Sequence, residues 1–325
     1  MKLNLILIAA LLVLLAFGLL LGETPLSASQ YVQAFSDPTS GPGEVLWAIR
    51  APRVVAAAVV GGALGLAGAV MQGLLRNPLA DPGVLGVSAG AGLGASLAIA
   101  LGLAAIPGGT EAAALVAALA TGLLLTALAA RFREPETLIL FGVALSAFAG
   151  ALTSLIFNLS PSPVTTAEIL SWLMGSVANR SWSDTGWELA PTALGAALCV
   201  YAARGLVMLT LGEETAGLSG LPMGRLRAAA VAGASLLTGV AVAMAGIIGF
   251  VGLAAPHLVR AGAGADPGKV LAPSALAGAL LLVAADIAAR MIPTDQELKL
   301  GVVTALFGAP LFALIAWRAA RSWRA

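Results

Sequence analysis

Cysteine, histidine and charged residues are all scarce in this chain of 325 residues. One cysteine, Cys199, excludes an intrachain disulfide, and one histidine, His257, argues against a metal site built from the usual His and Cys ligands. Charged residues make up 10% of the sequence, against about a quarter in ordinary soluble domains. The sequence has no Gly-x-x-x-x-Gly-Lys-Ser/Thr phosphate loop. These shortages argue against a soluble domain, a disulfide scaffold, a resident metal and an ATPase.

Apolar residues and glycine dominate instead. Hydrophobic residues make up 59% of the chain, there are 39 glycines, and the mean hydropathy is +0.98. Small residues let membrane helices pack closely, as with Gly61, Gly65 and Gly68. The composition predicts an all-α, polytopic membrane protein without nucleic-acid partners. The apolar runs predict ten transmembrane helices at about residues 3–21, 54–75, 84–104, 112–130, 138–158, 187–207, 228–245, 249–261, 271–291 and 300–317.

The first apolar run has two interpretations. It is either a signal peptide or a retained first helix, and its length favours the retained helix. Residues 22–44 are polar and lack Lys and Arg, which indicates an external segment. Residues 165–177 are amphipathic and too short to span, which predicts an interfacial or re-entrant helix. The tryptophans near it fit an interfacial aromatic belt: Trp172, Trp182 and Trp187.

The distribution of positive charge predicts the orientation. Ten crossings put both termini on one side, and with cytoplasmic termini only five of the 17 Lys and Arg residues would face outside. The external ones would be Arg50, Arg53, Arg180, Arg290 and Lys299. The sequence therefore predicts a multi-pass protein with both termini in the cytoplasm.

A polar break interrupts the apolar runs at residues 72–91. It contains Arg76, Asn77, two prolines and several glycines between two segments that are each long enough to cross a bilayer. An irregular backbone cannot satisfy its own polar groups in hydrocarbon, so this break must face water, a cavity or another protein. We interpret it as a hinge beside a conduit.

Four ordered motifs resemble the FecCD-type permeases, the membrane subunits of ABC importers for vitamin B12, haem and iron–siderophore complexes. The motifs are Asn-Pro-Leu-Ala-Asp-Pro-Gly at 77–83, Gly-Phe-Val-Gly-Leu at 249–253 with Pro-His at 256–257 and Arg260, Asp-Ile-Ala-Ala-Arg at 286–290, and Gly-Val-Val-Thr-Ala-Leu-Phe-Gly-Ala-Pro at 301–310. The resemblance implies one permease domain over residues 1–325, with the type II importer fold. It also implies a homodimer in the bacterial inner membrane, two cytoplasmic ATPase subunits that bind ATP and Mg²⁺, and an external binding protein.

The same resemblance implies two cytoplasmic sites. Asn77, Leu79 and, by a looser match, Thr137 correspond to the cytoplasmic gate, although Asn77 before a Pro turn could instead be a helix cap. Residues 211–227 resemble the coupling element that seats in the ATPase, expected as an exposed pair of short helices, with an ordinary solvated loop as the alternative. Its coupling residues would be Glu213, Glu214, Ala216, Gly217, Leu218 and Arg225.

Arg50, Arg53 and Arg290 match family positions that dock the binding protein. As rim charges they would set docking register and association rate, so charge reversal at Arg50 and Arg53 should abolish stimulation of the ATPase. Two alternatives remain open: snorkelling to lipid phosphates, and an ion pair between Arg290 and Asp286 four residues earlier.

The sequence also bears on the cargo and on other protein classes. Family frequency favours an iron chelate, either a siderophore complex or haem, with cobalamin as the alternative. A secondary transporter would need buried ionisable groups, and Asp286 is the one noted inside the predicted spans. An intramembrane hydrolase would need a catalytic constellation, and His257 fits helix packing better than metal binding. Lys299 stands where the family usually has Pro, which leaves the start of the tenth helix open.

Overall fold

The computed structural model describes residues 2–22, 24–83, 85–132, 135–160, 162–264, 266–292, 294 and 297–322. These residues are almost entirely helical and contain no strand, so the all-α prediction is confirmed. The helices are α1 (Lys2–Leu20), α2 (Ala28–Ser36), α3 (Gly41–Gly43), α4 (Ala51–Leu74), α5 (Val87–Ala100), α6 (Gly109–Arg131), α7 (Pro135–Leu159), α8 (Pro163–Leu173), α9 (Trp182–Leu209), α10 (Glu213–Leu218), α11 (Met223–Ala245), α12 (Val251–Ala263), α13 (Pro267–Met291) and α14 (Leu300–Ser322).

Each of the ten predicted spans corresponds to a helix in the expected order. In the described chain, seven continuous helical stretches are long and apolar enough to cross a membrane, α3 and α4 forming one of them through the π-helical segment Glu44–Arg50. α5, α12 and the apolar part of α14 are shorter. α14 begins at Leu300, as the apolar pattern predicted.

The predicted third helix is shorter than expected at both ends. It begins at Val87 because Gly86 adopts a left-handed conformation, with φ of 91°, and it ends at Ala100, before a second left-handed residue at Gly102. Fourteen residues rise about 21 Å, less than a hydrocarbon core of about 30 Å. The hinge therefore extends into the bundle before α5 starts.

α4 is the centre of the bundle, and glycine sets how closely it approaches α13. A Cβ atom at Gly61 would collide with the carbonyl oxygen of Gly278, and one at Gly65 would collide with that of Ser274. Gly68 meets the backbone of Gly252 on α12 in the same way. Backbones in this close contact gain dispersion energy along their whole length, which is how small residues hold membrane helices together.

The polar segment after α1 folds rather than staying a loop. Ser27 caps α2 in a capping box with Gln30, which satisfies two backbone donors reciprocally. The indole of Trp47, in the π-helical segment, donates to the Ala34 carbonyl at 3.0 Å. α8, predicted as a short non-spanning helix at 165–177, is present with slightly different bounds.

Candidate functional site

The predicted gate lies in the hinge between α4 and α5. Asn77 Oδ1 accepts the backbone N–H of Leu79 at 2.9 Å, and the Ala80 N–H donates to the Asn77 carbonyl at 3.1 Å. Arg76 before it adopts φ of 48°. Asn77 thus closes a turn that presents Leu79, whose side chain is 37% exposed. The alternative that Asn77 caps a helix is wrong, since Gly86 holds the position before α5.

Thr137, the third predicted gate residue, lies elsewhere. It sits half-buried in the first turn of α7. α7 approaches the hinge at Gly142, where a Cβ would come within 2.6 Å of the Leu85 Cα. The structure therefore packs α7 against the far end of the hinge. The gate roles of Asn77, Leu79 and Thr137 stay predictions.

A polar pair behind the hinge was missed as a pair. Gln72, at the end of α4, is buried, and its Oε1 accepts a hydrogen bond from Arg260 Nη2 of α12 at 2.6 Å. Its Nε2 donates to the Gly252 carbonyl at 3.4 Å. The pair joins α4 to α12 next to Asn77. The sequence signal was present, since a Gln and an Arg in two apolar helices need partners, but nothing in their spacing joined them.

The predicted coupling element contains one short helix, not two. α10 covers its first half, and the second half is already the first turn of α11, because an uninterrupted helical pattern runs from Met223 into the apolar span. Arg227 Nη2 pairs with Glu213 Oε2 at 2.7 Å and fastens α10 to α11.

The coupling residues divide into two groups. Glu214, Gly217, Leu218 and Arg225 are exposed, and Leu218 is 84% exposed, which is unusual for a large apolar side chain outside an interface. Ala216 is buried, and Glu213 is half-buried in its ion pair. The exposed group can meet a partner, while the other two hold α10 in place.

The three predicted docking arginines are not free rim charges. Arg50 is 4% exposed and donates to the carbonyls of Leu19, Leu20 and Thr24 and to the Tyr31 hydroxyl. Arg290, 8% exposed, donates to the carbonyls of Gly18 and Leu21 at 3.0 and 2.9 Å. The expectation of rim exposure is therefore wrong for these two side chains: they satisfy carbonyls at the end of α1 that no helical N–H reaches.

Arg53 belongs to an ion-pair network centred on buried Asp286. Arg53 Nε lies 2.8 Å from Asp286 Oδ1, and its Nη2 lies 2.8 Å from Glu297 Oε1. Arg290 Nη2 lies 3.0 Å from Asp286 Oδ2, so the predicted pair within α13 is confirmed. Snorkelling is wrong for Arg290, whose head group faces the bundle. The docking role itself stays a prediction.

Two acidic residues were missed by sequence reasoning. Glu297 accepts from Arg53 and from the Ser176 hydroxyl at 3.1 Å, and so joins α4 to the segment before α14. Glu188 lies fully buried inside α9, and neither carboxylate oxygen has a hydrogen-bond partner among the described residues. Asp286 is therefore not the only ionisable residue within the spans, and Glu188 could have been found by checking the start of the sixth span.

In the part of the chain that the structure describes, no group of three His, Cys, Asp or Glu residues could hold a metal ion. His257 lies half-buried in α12.

Comparison with known proteins identifies the family. The model of the FecCD transport family matches residues 10–318. The chain belongs to the FecCD transport family. It is 44% identical to the uncharacterised ABC transporter permease YvrB of Bacillus subtilis, over 86% of this chain and 80% of that protein. It is 40% identical to the vitamin B12 import permease BtuC of Salmonella typhimurium, over 91% of each chain.

A solved structure agrees with this assignment. It is described as an inward-facing conformation of a metal-chelate type ABC transporter, and it superposes with a TM-score of 0.87 at 32% identity, covering 98% of this chain and 99% of the other. This FecCD chain is thus a membrane-spanning ABC importer permease, and the fold class predicted from its motifs is confirmed.

Proposed function

We propose that this permease carries a metal chelate across the bacterial inner membrane as a homodimer, with both termini in the cytoplasm. ATP hydrolysis would be supplied by two separate ATPase subunits, and cargo by an external binding protein. The observation that carries the proposal is the polar hinge at residues 77–83, which breaks the bundle between two apolar helices and holds Leu79 outward on a hydrogen-bonded turn.

The mechanism that this geometry supports is alternating access. The hinge is held by short local hydrogen bonds and by one cross-helix pair, Gln72 with Arg260, so a small displacement of α4 against α12 would move Leu79. α10 is fastened to α11 by one ion pair and exposes Leu218. Motion of a docked ATPase could therefore pass through α10 to α11, which packs on α4, α6 and α9.

Two cargoes remain, and different observations support them. Cobalamin, a cobalt chelate, is supported by the 40% identity to permeases named for vitamin B12 import. An iron chelate, either a siderophore complex or haem, is supported by the resemblance to a metal-chelate type transporter. We take cobalamin as the first candidate, because the relatives named for its import cover nine-tenths of the chain.

The cargo is tested by competition. The permease, its ATPase and its binding protein are reconstituted in liposomes, and ATP-dependent uptake of labelled cyanocobalamin is measured with unlabelled cobalamin, haem or a ferric siderophore as competitor. Cobalamin uptake that only cobalamin inhibits supports the first candidate. Uptake of a ferric siderophore or haem without cobalamin uptake transfers the proposal to the iron chelate.

A further inference from the structure

A cavity of about 330 Å³ lies between α4, α9, α12 and α13, at the end of the bundle that carries the hinge. We call it the hinge-side cavity. The polar residues that line it are Gln72, Arg76, Asn77, Thr210 and Arg260.

The lining of this cavity is basic. It has two arginines, two amides and a hydroxyl, and neither Asp nor Glu lines it. The carboxylate of nearby Asp266 is engaged elsewhere, since it accepts the Gly268 N–H at 2.9 Å and pairs with Lys269 at 3.4 Å. Two positive charges face one enclosed space with no lining carboxylate to balance them.

Arg260 is bound to the protein through half of its guanidinium group. Nη2 donates to Gln72 at 2.6 Å, whereas Nη1 is buried and has no hydrogen-bond partner among the described residues. Buried polar groups nearly always have a partner, and a buried charged donor without one is costly. The Nη1 group therefore needs an acceptor, and the cavity beside it is the place where one fits.

A simpler explanation covers only part of this. α4, α9 and α12 all end near the cavity, and cations are favourable at the negative ends of helices. That accounts for positive charge in this region. It does not supply Arg260 Nη1 with an acceptor, because the ends of these helices leave this nitrogen without a bond.

We propose that the hinge-side cavity binds a phosphate-type oxyanion through Arg260 and Arg76. The planar fork of an arginine matches the oxygens of a phosphate, and Thr210 and Asn77 add a hydroxyl and an amide at the rim. Such an anion can be the headgroup of an anionic phospholipid or a free phosphate, since basic pockets between membrane helices bind lipid headgroups. Because Asn77 lines the cavity, the bound anion would stabilise the hinge in the arrangement seen here.

The test uses the whole purified protein. Binding of phosphatidylglycerol is measured by native mass spectrometry, with phosphatidylcholine as the neutral reference, and binding of inorganic phosphate is measured on delipidated protein by calorimetry. We expect Arg260→Gln to weaken anion binding about tenfold or more and Arg76→Gln to weaken it less, because Arg76 is exposed. The control is Arg204→Gln, an exposed arginine that lines a separate cavity with Tyr201 and Leu221, and it should bind like the wild type.

The two arms separate the sources. Binding of phosphatidylglycerol alone identifies a lipid headgroup, and binding of inorganic phosphate identifies a free anion. The proposal is overturned if the wild type binds neither probe saturably, or if Arg260→Gln and Arg76→Gln bind as Arg204→Gln does. If Arg260→Gln does not fold, Arg260→Lys and Arg76→Gln carry the test, with intermediate affinity expected for Arg260→Lys, which keeps the charge but loses the fork.

Discussion

At the residue scale, the buried ion pairs around Asp286 explain arginines that the charge rule leaves unexplained. Arg50 and Arg290 together accept the burden of four consecutive carbonyls, from Gly18 to Leu21, at the end of α1. Arg53 and Arg290 flank Asp286. A positive charge on the predicted external side is tolerated here because each guanidinium has internal partners, which also means that charge reversal at Arg50 would disturb the fold as well as any docking surface.

Removing the charge of Asp286 should destabilise the protein strongly. Asp286→Asn leaves two buried guanidinium groups without their carboxylate, and breaking a buried pair costs roughly 3–5 kcal/mol. The control is Asp266→Asn, which loses an exposed pair with Lys269 worth under about 1 kcal/mol and keeps a good helix cap. Thermal unfolding in detergent measures both. Equal stability of the two variants would show that the network contributes nothing.

Truncating Leu79 should open the predicted gate. Leu79→Ala removes the apolar tip of the hinge but keeps the turn, because the Asn77 bond goes to the backbone N–H. We expect faster passive efflux of preloaded cargo from liposomes than in the wild type, measured without ATP. The control is Leu211→Ala, an equally large and exposed residue outside the hinge. Efflux at the control's rate would remove Leu79 from the gate.

At the element scale, close packing of α4 on α13 is tested by two neighbouring glycines. Gly61→Ala would put a methyl group into the Gly278 carbonyl, so the helices would have to separate and stability should fall by about 1–3 kcal/mol. Gly62→Ala, one residue on, would meet the Ala275 carbonyl oxygen at 3.5 Å, an ordinary contact. Thermal unfolding should therefore distinguish the two variants. Similar losses would mean that the glycines do not set the crossing distance.

The exposed tip of α10 should be needed for ATPase attachment. Leu218→Ser keeps the Glu213–Arg227 pair that positions the helix but removes the apolar contact, so less ATPase should copurify with the permease. Leu159→Ser, at an exposed residue at the end of α7, serves as the control. Copurification is measured by quantitative gel densitometry at equal permease. Undiminished ATPase with Leu218→Ser would argue against α10 as the coupling helix.

Much of this element-level picture could be predicted from the sequence, and the misses have physical causes. Long apolar runs and turn residues fixed the order of the helices and the hinge, because hydrocarbon forces every span to be helical. The second coupling helix was mispredicted because Met223 and Gly224 interrupt no backbone hydrogen bond, so α11 simply starts earlier. The Gln72–Arg260 pair and the Arg53–Glu297 pair join residues about 190 and 240 positions apart. Such pairs depend on helix packing, which periodicity does not reveal.

At the scale of the whole molecule, the chain is a FecCD-family permease whose polar groups are concentrated at the two ends of the bundle. One end has the arginine network that closes α1, and the other has the hinge, α10 and the hinge-side cavity. The middle is built on close glycine contacts. Rigid packing between two polar ends is the arrangement expected of a subunit that moves as bodies rather than by local unfolding. That residues 1–325 form a single domain stays a prediction.

The central claim is that partner-driven movement of these helices carries the cargo. The most direct measurement is cargo uptake into vesicles that contain the permease with its ATPase and binding protein, with wild-type ATPase or an ATPase variant that binds but does not hydrolyse ATP. The account predicts accumulation with wild-type ATPase, MgATP and binding protein, and none with the hydrolysis-deficient variant. Equal accumulation without hydrolysis would contradict it.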